Sequence, residues 1–168
     1  MIERPGVKLQ GTSANDEIQT PSYLFDRLNR AFRFDHDAFA ALDNHLLPHF
    51  STIAGTADTD ADGAVYAVSD LDGFRYPWSD LHVFANPPYS LLMQAVAKFE
   101  EEVERAAWIA MLVKVDTSTR WYQRLEECAI VQPLKRRVKF THPNPPPGWS
   151  GATFASAIAF PKRDWVAL

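Results

Sequence analysis

The chain has 168 residues, of which 46% are hydrophobic and 12% are aromatic, so it can bury one substantial core and leaves little room for a second domain. Its one cysteine, Cys128, excludes an intramolecular disulfide, a cysteine-based metal cluster and a redox pair, and no apolar run approaches the roughly 20 residues that span a bilayer. A net charge of −4 argues against a surface that is basic throughout.

The first clear element is a helix predicted over residues 21–32. Thr20 offers a hydroxyl N-cap and Pro21 suits the first helical position, after which apolar residues recur at helical spacing. Residues 1–19 show no sustained periodicity, and we expect them to form a flexible arm. The remainder, residues 20–168, is predicted to form a single domain.

The next segments are shorter and less regular. Residues 34–42 are expected to be a strand that passes into a helix, residues 45–62 show no clear element, and residues 64–68 alternate like a short strand. Residues 81–85 form a compact apolar run that ends abruptly at an Asn-Pro-Pro sequence, which predicts a buried strand followed by a rigid turn. A helix is predicted over residues 91–105, with its run of glutamates mostly in solvent.

The second half of the chain alternates strands and helices. In chain order we predict a strand over residues 107–113, a helix over 118–127, and strands over 129–131, 137–140 and 154–160. A proline-rich loop at residues 142–151 separates the last two strands, which are expected to pair as an antiparallel hairpin. The predicted fold class is therefore α/β, a three-layer sandwich around a mixed, mostly parallel sheet that ends in this hairpin.

The turn Asn86-Pro87-Pro88-Tyr89 follows the strand predicted at residues 81–85, where ligands bind in open α/β sheets. The exocyclic amine of a nucleobase is a poor nucleophile, because its lone pair is conjugated with the ring. The Asn86 side-chain carbonyl and the Pro87 main-chain carbonyl can each accept one amine hydrogen, which favours attack by the nitrogen on a sulfonium methyl. The prolines would fix both acceptors, and Tyr89 can stack on a base rotated out of a duplex. The same residue types are also common in ordinary turns.

Several further motifs occur in an order typical of one enzyme family. They are Thr-Pro at residues 20–21, Asp-His-Asp-Ala-Phe-Ala at 35–40, Asp-Leu-Asp-Gly-Phe at 70–74, an Asp/Thr-rich turn with a Trp-Tyr pair at 111–122, and Arg-Arg-Val-Lys-Phe at 136–140. With the Asn-Pro-Pro-Tyr turn, they resemble the phage-type, Dam-like DNA N6-adenine methyltransferases. The resemblance implies a Rossmann-like S-adenosylmethionine-dependent methyltransferase fold. It also implies direct in-line methyl transfer to a flipped adenine, with Asn86, Pro87, Pro88 and Tyr89 as catalytic residues.

The same resemblance assigns the S-adenosylmethionine site. Thr20 and Pro21 match the family's Thr-Pro start near the methionine moiety of the cofactor. Asp37 and Ala40 match its first cofactor motif, and Asp72 matches an acidic contact to the cofactor adenine. The ligand of the cofactor ribose is left open among three aspartates, Asp58, Asp60 and Asp62.

Positive charge is concentrated late in the chain. Residues 1–104 carry 7 Lys/Arg and 17 Asp/Glu, whereas residues 105–141 carry 8 and 3. A local basic face suits a nucleic-acid contact, because phosphate attraction is screened within about 10 Å; a solvated surface explains the same charges. The candidate phosphate and base contacts are Arg120, Arg124, Lys135, Arg136, Arg137 and Lys139. The loop at residues 142–151 is the natural place for target-sequence selection.

The expected partner is double-stranded DNA, with no membrane partner and with the protein as a monomer or weak dimer. We expect it in the cytoplasm, or in a host's cytoplasm if a phage encodes it. No metal is expected, because His45 and His49, although four residues apart, lack a cysteine or acidic third ligand. Two other interpretations stay open. In the first, the same fold methylates another planar amine, at cytosine N4, in RNA or in a protein glutamine. In the second, the chain is a catalytically silent nucleic-acid-binding domain.

Overall fold

A computed structural model describes residues 16–41, 43–53, 56–59, 65–69 and 72–163. The helices in these ranges are α1 (Ser22–Phe32), α2 (Leu92–Glu102) and α3 (Arg120–Cys128). The strands are β1 (His36–Ala38), β2 (Thr56–Thr59), β3 (Val65–Ser69), β4 (His82–Ala85), β5 (Trp108–Lys114), β6 (Ala129–Pro133) and β7 (Ser156–Pro161). Among the described helices, none has both the length and the apolar character needed to cross a bilayer.

Five of the strands form one mixed sheet in the order β1-β4-β5-β7-β6. Strands β1, β4 and β5 are parallel, whereas β7 is antiparallel to both β5 and β6. The sheet is therefore mixed, as predicted, but its pairings are evenly divided between parallel and antiparallel. Because β1, β4 and β5 point the same way, their carboxyl ends meet at one edge of the sheet.

The central strand β5 is covered on both faces. Ile109, Met111 and Val113 pack in one buried cluster with residues of α2 and α3. Ala110 and Leu112 point to the other face and pack with residues of α1. Successive side chains of a strand alternate between faces, so a strand buried on both sides reads as a continuous apolar run.

Helix α1 begins one residue later than predicted, and the predicted cap is wrong. Pro21 is the N-cap residue, and no side chain caps the helix. The Thr20 hydroxyl instead accepts a hydrogen bond from Asn86 Nδ2 at 2.9 Å. The Thr-Pro sequence therefore starts the helix through proline, while the threonine side chain is used elsewhere.

The four residues before Thr20 are packed against the rest of the protein, although an arm over residues 1–19 was predicted. Ile18 is buried, and Gln19 exchanges backbone hydrogen bonds with Thr141 at 2.8 and 3.3 Å. Ordered chain thus begins no later than Asp16. Residues 1–15 lie outside the described part, and the arm predicted there stays a prediction.

The predicted helix after β1, within residues 34–42, is wrong. Phe39 has a left-handed backbone conformation with φ 65°, which ends the strand and turns the chain. Backbone groups on both sides of Phe39 form hydrogen bonds with Ser51. Ser51 N–H donates to the Asp37 carbonyl at 3.0 Å, and Ala40 N–H donates to the Ser51 carbonyl at 2.9 Å. These contacts replace the hydrogen bonds that a helix would have made.

Strands β2 and β3 form a separate antiparallel ribbon. Strand β3 lies one residue beyond the prediction at 64–68. Strand β2 lies in residues 45–62, where no element was predicted. Its sequence, Thr-Ala-Asp-Thr, is small and polar, so it lacks the apolar alternation by which a half-buried strand is recognised.

The strand predicted at residues 137–140 is wrong. Val138 and Phe140 are buried while Arg137 and Lys139 are exposed, so the alternation that suggested a strand reflects true burial. The segment nevertheless forms no strand of the sheet. Strand β6 takes its place, with Val131 opposite Ala159 in the antiparallel pair of β6 and β7. The predicted hairpin between residues 137–140 and 154–160 is therefore wrong, because β7 pairs with β6 instead.

Candidate active site

The predicted catalytic turn lies at the carboxyl edge of the sheet. Strand β4 ends at Ala85, directly before Asn86. Its parallel neighbour β1 places Ala38 opposite Ala85. Residues that follow the two strands therefore meet at one point, which brings Asn86 close to the segment at residues 37–40.

A hydrogen bond sets the orientation of the half-buried Asn86 amide. Its Nδ2 donates to Thr20 Oγ1 at 2.9 Å. Asn86 Oδ1 makes no hydrogen bond to the described residues, so it is available to accept one. Pro87 and Pro88 are buried, and the Pro88 carbonyl accepts from Leu91 N–H at 2.9 Å. The turn therefore presents a fixed acceptor.

A cavity of about 340 Å³ lies beside Asn86. Its wall includes Thr20, Asp37, Ala40 and Pro88. The volume is in the range of small-molecule binding sites. The structure thus brings together three of the predicted cofactor residues and two of the predicted catalytic residues, which lie far apart in sequence.

Asp37 contributes a buried carboxyl to the cavity wall. Its Oδ2 accepts a hydrogen bond from Leu46 N–H at 2.7 Å. Burial raises the pKa of Asp37 to about 7, and the hydrogen bond from Leu46 opposes this rise. A cation in the cavity would favour the ionised form of this carboxyl.

Tyr89 packs in an aromatic cluster. Its ring is edge-on to Phe154, with 4.8 Å between the ring centroids, and edge-on to Phe140 at 6.5 Å. The Tyr89 hydroxyl is buried and has no hydrogen-bond partner among the described residues, and burial raises its pKa. A buried hydroxyl without a partner costs stability, so a polar ligand group beside it would be stabilising.

Two predicted cofactor residues do not line the cavity. Asp72 Oδ1 accepts from Phe74 N–H at 2.9 Å, and Asp72 Oδ2 lies 3.6 Å from Arg75 Nε, so this carboxylate stabilises its own turn. Pro21 is buried at the start of α1. The candidate ribose ligands are not located: Asp58 is described only by its backbone in β2, and Asp60 and Asp62 lie outside the described residues.

Several residues of the cavity wall were missed from the sequence. Asp43 and Asn44 line the cavity from the loop after β1, and their signal was available, since they are polar and closely follow the matched motif at residues 35–40. Pro143 and Asn144 line it from the proline-rich loop. Nothing near them in the sequence indicates this, because the fold alone brings the loop to the cavity.

The six basic candidates do not share one surface. Arg120 and Arg124 lie on α3, where Arg124 Nε donates to Glu100 Oε1 at 2.7 Å. The other four are exposed and line a separate groove beside α1: Lys135, Arg136, Arg137 and Lys139. Among the described residues, no group of three or more His, Cys, Asp or Glu side chains could hold a metal ion.

The family model of DNA N-6-adenine-methyltransferase (Dam) matches residues 9–167. The chain belongs to the Dam family. No curated protein matches it.

Membership of the Dam family has direct consequences for the site. The matched residues include every described residue of the cavity wall and of the catalytic turn. A family of DNA adenine methyltransferases implies a DNA substrate and a methyl donor.

Proposed function

We propose that this Dam-family protein transfers a methyl group from S-adenosylmethionine to the N6 amine of adenine in double-stranded DNA, with the target base rotated out of the duplex. We also propose that the sheet and helices form a Rossmann-like, three-layer methyltransferase fold. One observation carries the proposal. Thr20 holds the nitrogen of the Asn86 amide, and the oxygen is left free beside a cavity of ligand size.

The cavity wall fits the chemistry of S-adenosylmethionine. When bound, this cofactor supplies an electrophilic methyl group on a sulfonium centre. The buried Asp37 carboxyl, whose pKa is raised to about 7, favours a cationic ligand, because a positive charge would offset the cost of desolvating the carboxylate. Thr20 and Ala40 lie in the same wall. The contacts of Pro21 and Asp72 with the cofactor stay predictions.

Asn86 and Pro87 would polarise the target amine. The free Asn86 Oδ1 would accept one amine hydrogen and the Pro87 carbonyl the other, which makes the nitrogen tetrahedral and exposes its lone pair to the methyl group. The buried prolines hold both acceptors in place before the substrate binds, which lowers the entropy cost of alignment. No strong base is required, since the nitrogen becomes cationic on methylation and then loses its proton to water.

Tyr89 would hold the flipped base. Its ring lies with Phe140 and Phe154 in an aromatic wall, and aromatic rings stack on bases without regard to sequence. Stacking of this kind needs only the ring face, so the Tyr89 hydroxyl, which is buried without a partner among the described residues, is not required to contact the base.

The test is incubation with methyl-labelled S-adenosylmethionine and unmodified DNA, followed by mass spectrometry of the nucleosides. The wild-type protein should produce N6-methyladenine. The Asn86→Ala variant should make no N6-methyladenine, because the substitution removes an acceptor for the target amine. S-adenosylmethionine should still raise the melting temperature of this variant. The exposed amide Gln94 on α2 provides a matched control, and Gln94→Ala should retain full activity.

Other results would redirect or reject the proposal. Label in N4-methylcytosine, RNA or protein would change the acceptor and keep the methyltransferase. If S-adenosylmethionine does not raise the melting temperature of the wild-type protein but the protein binds DNA, the chain is better explained as a catalytically silent nucleic-acid-binding domain. Full activity in Asn86→Ala would contradict the mechanism.

A further inference from the structure

A second concave surface lies between α1 and residues 132–139, with a volume of about 830 Å³. Its floor is apolar and includes Leu134, Val138, Ile158 and Phe160. Its rim carries five cations, which are Arg27 from α1 and Lys135, Arg136, Arg137 and Lys139. We call this surface the basic groove.

No residue in the described part of the chain neutralises the rim cations of the basic groove. None of the five forms an ion pair with any residue in the described ranges. Arg124 differs, because Glu100 neutralises it. Like charges that share a groove repel one another, so the basic groove favours an anionic partner with several charges.

Both walls of the basic groove lead into the candidate active site. On one side, α1 begins at Ser22, two residues after Thr20, whose hydroxyl accepts a hydrogen bond from Asn86. On the other side, Lys139 N–H donates to Tyr23 Oη at 3.2 Å. The next residue, Phe140, packs against Tyr89. The basic groove therefore adjoins residues that contact the catalytic turn, although the groove and the cavity share no described lining residue.

We propose that the basic groove binds the phosphodiester backbone of the DNA substrate, and that Arg27 is one of its phosphate contacts. A DNA backbone alternates anionic phosphates with less polar deoxyribose rings, which suits a cationic rim above an apolar floor. Phosphate contacts position a protein on DNA without reading sequence. The identity of the polyanion rests on the function proposed above, whereas the groove and its charges do not.

Two arginines on the same helix provide the test. Arg27 lines the basic groove, whereas Arg30, one turn later and also exposed, does not. Because Arg27→Ala and Arg30→Ala change the net charge equally, any difference between them reports position. Binding of a fluorescein-labelled DNA duplex would be followed by anisotropy over a series of salt concentrations, and circular dichroism would verify that each variant is folded.

Arg27→Ala should weaken DNA binding and lower the salt dependence, the slope of log K against log salt, by about 1. Arg136→Ala should do the same, Arg27→Lys should restore the slope, and Arg30→Ala should leave it unchanged. Equal effects of Arg27→Ala and Arg30→Ala would overturn the proposal. If the Arg27 effect is found but the wild-type protein makes no N6-methyladenine, the groove assignment stands and the proposed function fails.

Discussion

At the scale of single residues, the Asn86 amide is the most informative group in the protein. An amide has one end that donates hydrogen bonds and one that accepts them, and only the accepting end can polarise an amine. The hydrogen bond from Nδ2 to Thr20 Oγ1 decides which end is free. We infer that Thr20 acts on the reaction by positioning Asn86, in addition to any contact with the cofactor.

Thr20→Val keeps the shape of the side chain and removes the hydroxyl. We expect kcat to fall by about fivefold, because one hydrogen bond contributes about 1 kcal/mol to the alignment and about 1.4 kcal/mol is tenfold in rate. KM for S-adenosylmethionine should change little. Steady-state kinetics with Thr20→Ser as the rescue variant provides the measurement. A rise in KM with unchanged kcat would instead make Thr20 a cofactor contact only.

Asp37 predicts a pH dependence of cofactor binding. Its pKa is about 7 in the free protein, and a bound cation would lower that pKa, so binding should release a proton. Affinity for S-adenosylmethionine should therefore rise from about pH 6 to about pH 8. Titration calorimetry in buffers of different ionisation enthalpy measures both the affinity and the number of protons released on binding. Asp37→Asn should remove this dependence.

Asp43→Asn is the matched control for Asp37→Asn, because Asp43 lines the same cavity but is exposed. It should keep the pH dependence. Loss of the dependence in both variants, or in neither, would show that Asp37 is not the responsible group.

Residues near each other in sequence were the easiest part of the site to predict. The position of Asn86 after a buried strand was predictable, because an apolar run before it and prolines after it define the turn. Asp37 and Ala40 were matched to a motif, and both line the cavity; their contact with the cofactor stays a prediction. Asp72 does not line the cavity, and Arg27 joins the basic groove only through the packing of α1. Such placements depend on tertiary contacts that no local pattern encodes.

At the scale of elements, α2 shows where a charge pattern misleads. Its run of glutamates was expected to be mostly in solvent, but Glu102 is buried and pairs with buried Lys98 at 2.5 Å. The Lys98 ammonium also lies 5.4 Å from the centroid of the Trp78 ring. The helix therefore buries an ion pair together with its apolar stripe. The pair satisfies only one carboxylate oxygen, because Glu102 Oε2 is buried and has no hydrogen-bond partner among the described residues.

Lys98→Met should destabilise the protein strongly, by about 3–5 kcal/mol, because it leaves Glu102 buried without its counter-charge. The double variant Lys98→Met/Glu102→Leu should be more stable than Lys98→Met, since it buries no charge. Urea unfolding gives the free energies. A double variant that is less stable than Lys98→Met would mean that packing, and not charge, governs the site.

Elements with strong periodicity were predicted well, and elements without it were not. Helices α2 and α3 and strands β4, β5 and β7 lie within a few residues of their predicted bounds. Strand β2 was missed because it lacks an apolar pattern. Residues 137–140 alternate in burial without joining the sheet, because alternation reports which side chains are covered and not where backbone hydrogen bonds go.

At the scale of the whole molecule, two neighbouring buried groups link stability to pH in opposite directions. Burial, and secondarily the nearby His49, lowers the pKa of His36 from 6.5 to about 4. Its contribution to stability is thus present above pH 6.5 and is lost as the pH falls towards 4. The pKa of Asp37 is raised from 3.8 to about 7. Its contribution is present below pH 3.8 and is lost as the pH rises through 7.

Acidification from pH 7 towards pH 4 therefore removes stability through His36 and restores it through Asp37. Asp37→Asn lacks the second effect, so its free energy of unfolding should fall more steeply with acidification than that of the wild type. Urea unfolding at several pH values within this window provides the measurement. Parallel pH profiles for the two proteins would contradict the assignment.

The proline-rich loop links the two ligands of the proposed reaction. Pro143 and Asn144 form part of the cavity wall, and the same loop is where we expect DNA sequence to be recognised. A DNA duplex that shifts this loop would change how long the methyl donor stays bound in the cavity. Linkage is reciprocal, so a duplex that slows dissociation of the methyl donor would itself dissociate more slowly when the methyl donor is bound. Target discrimination would then be expressed partly as residence time.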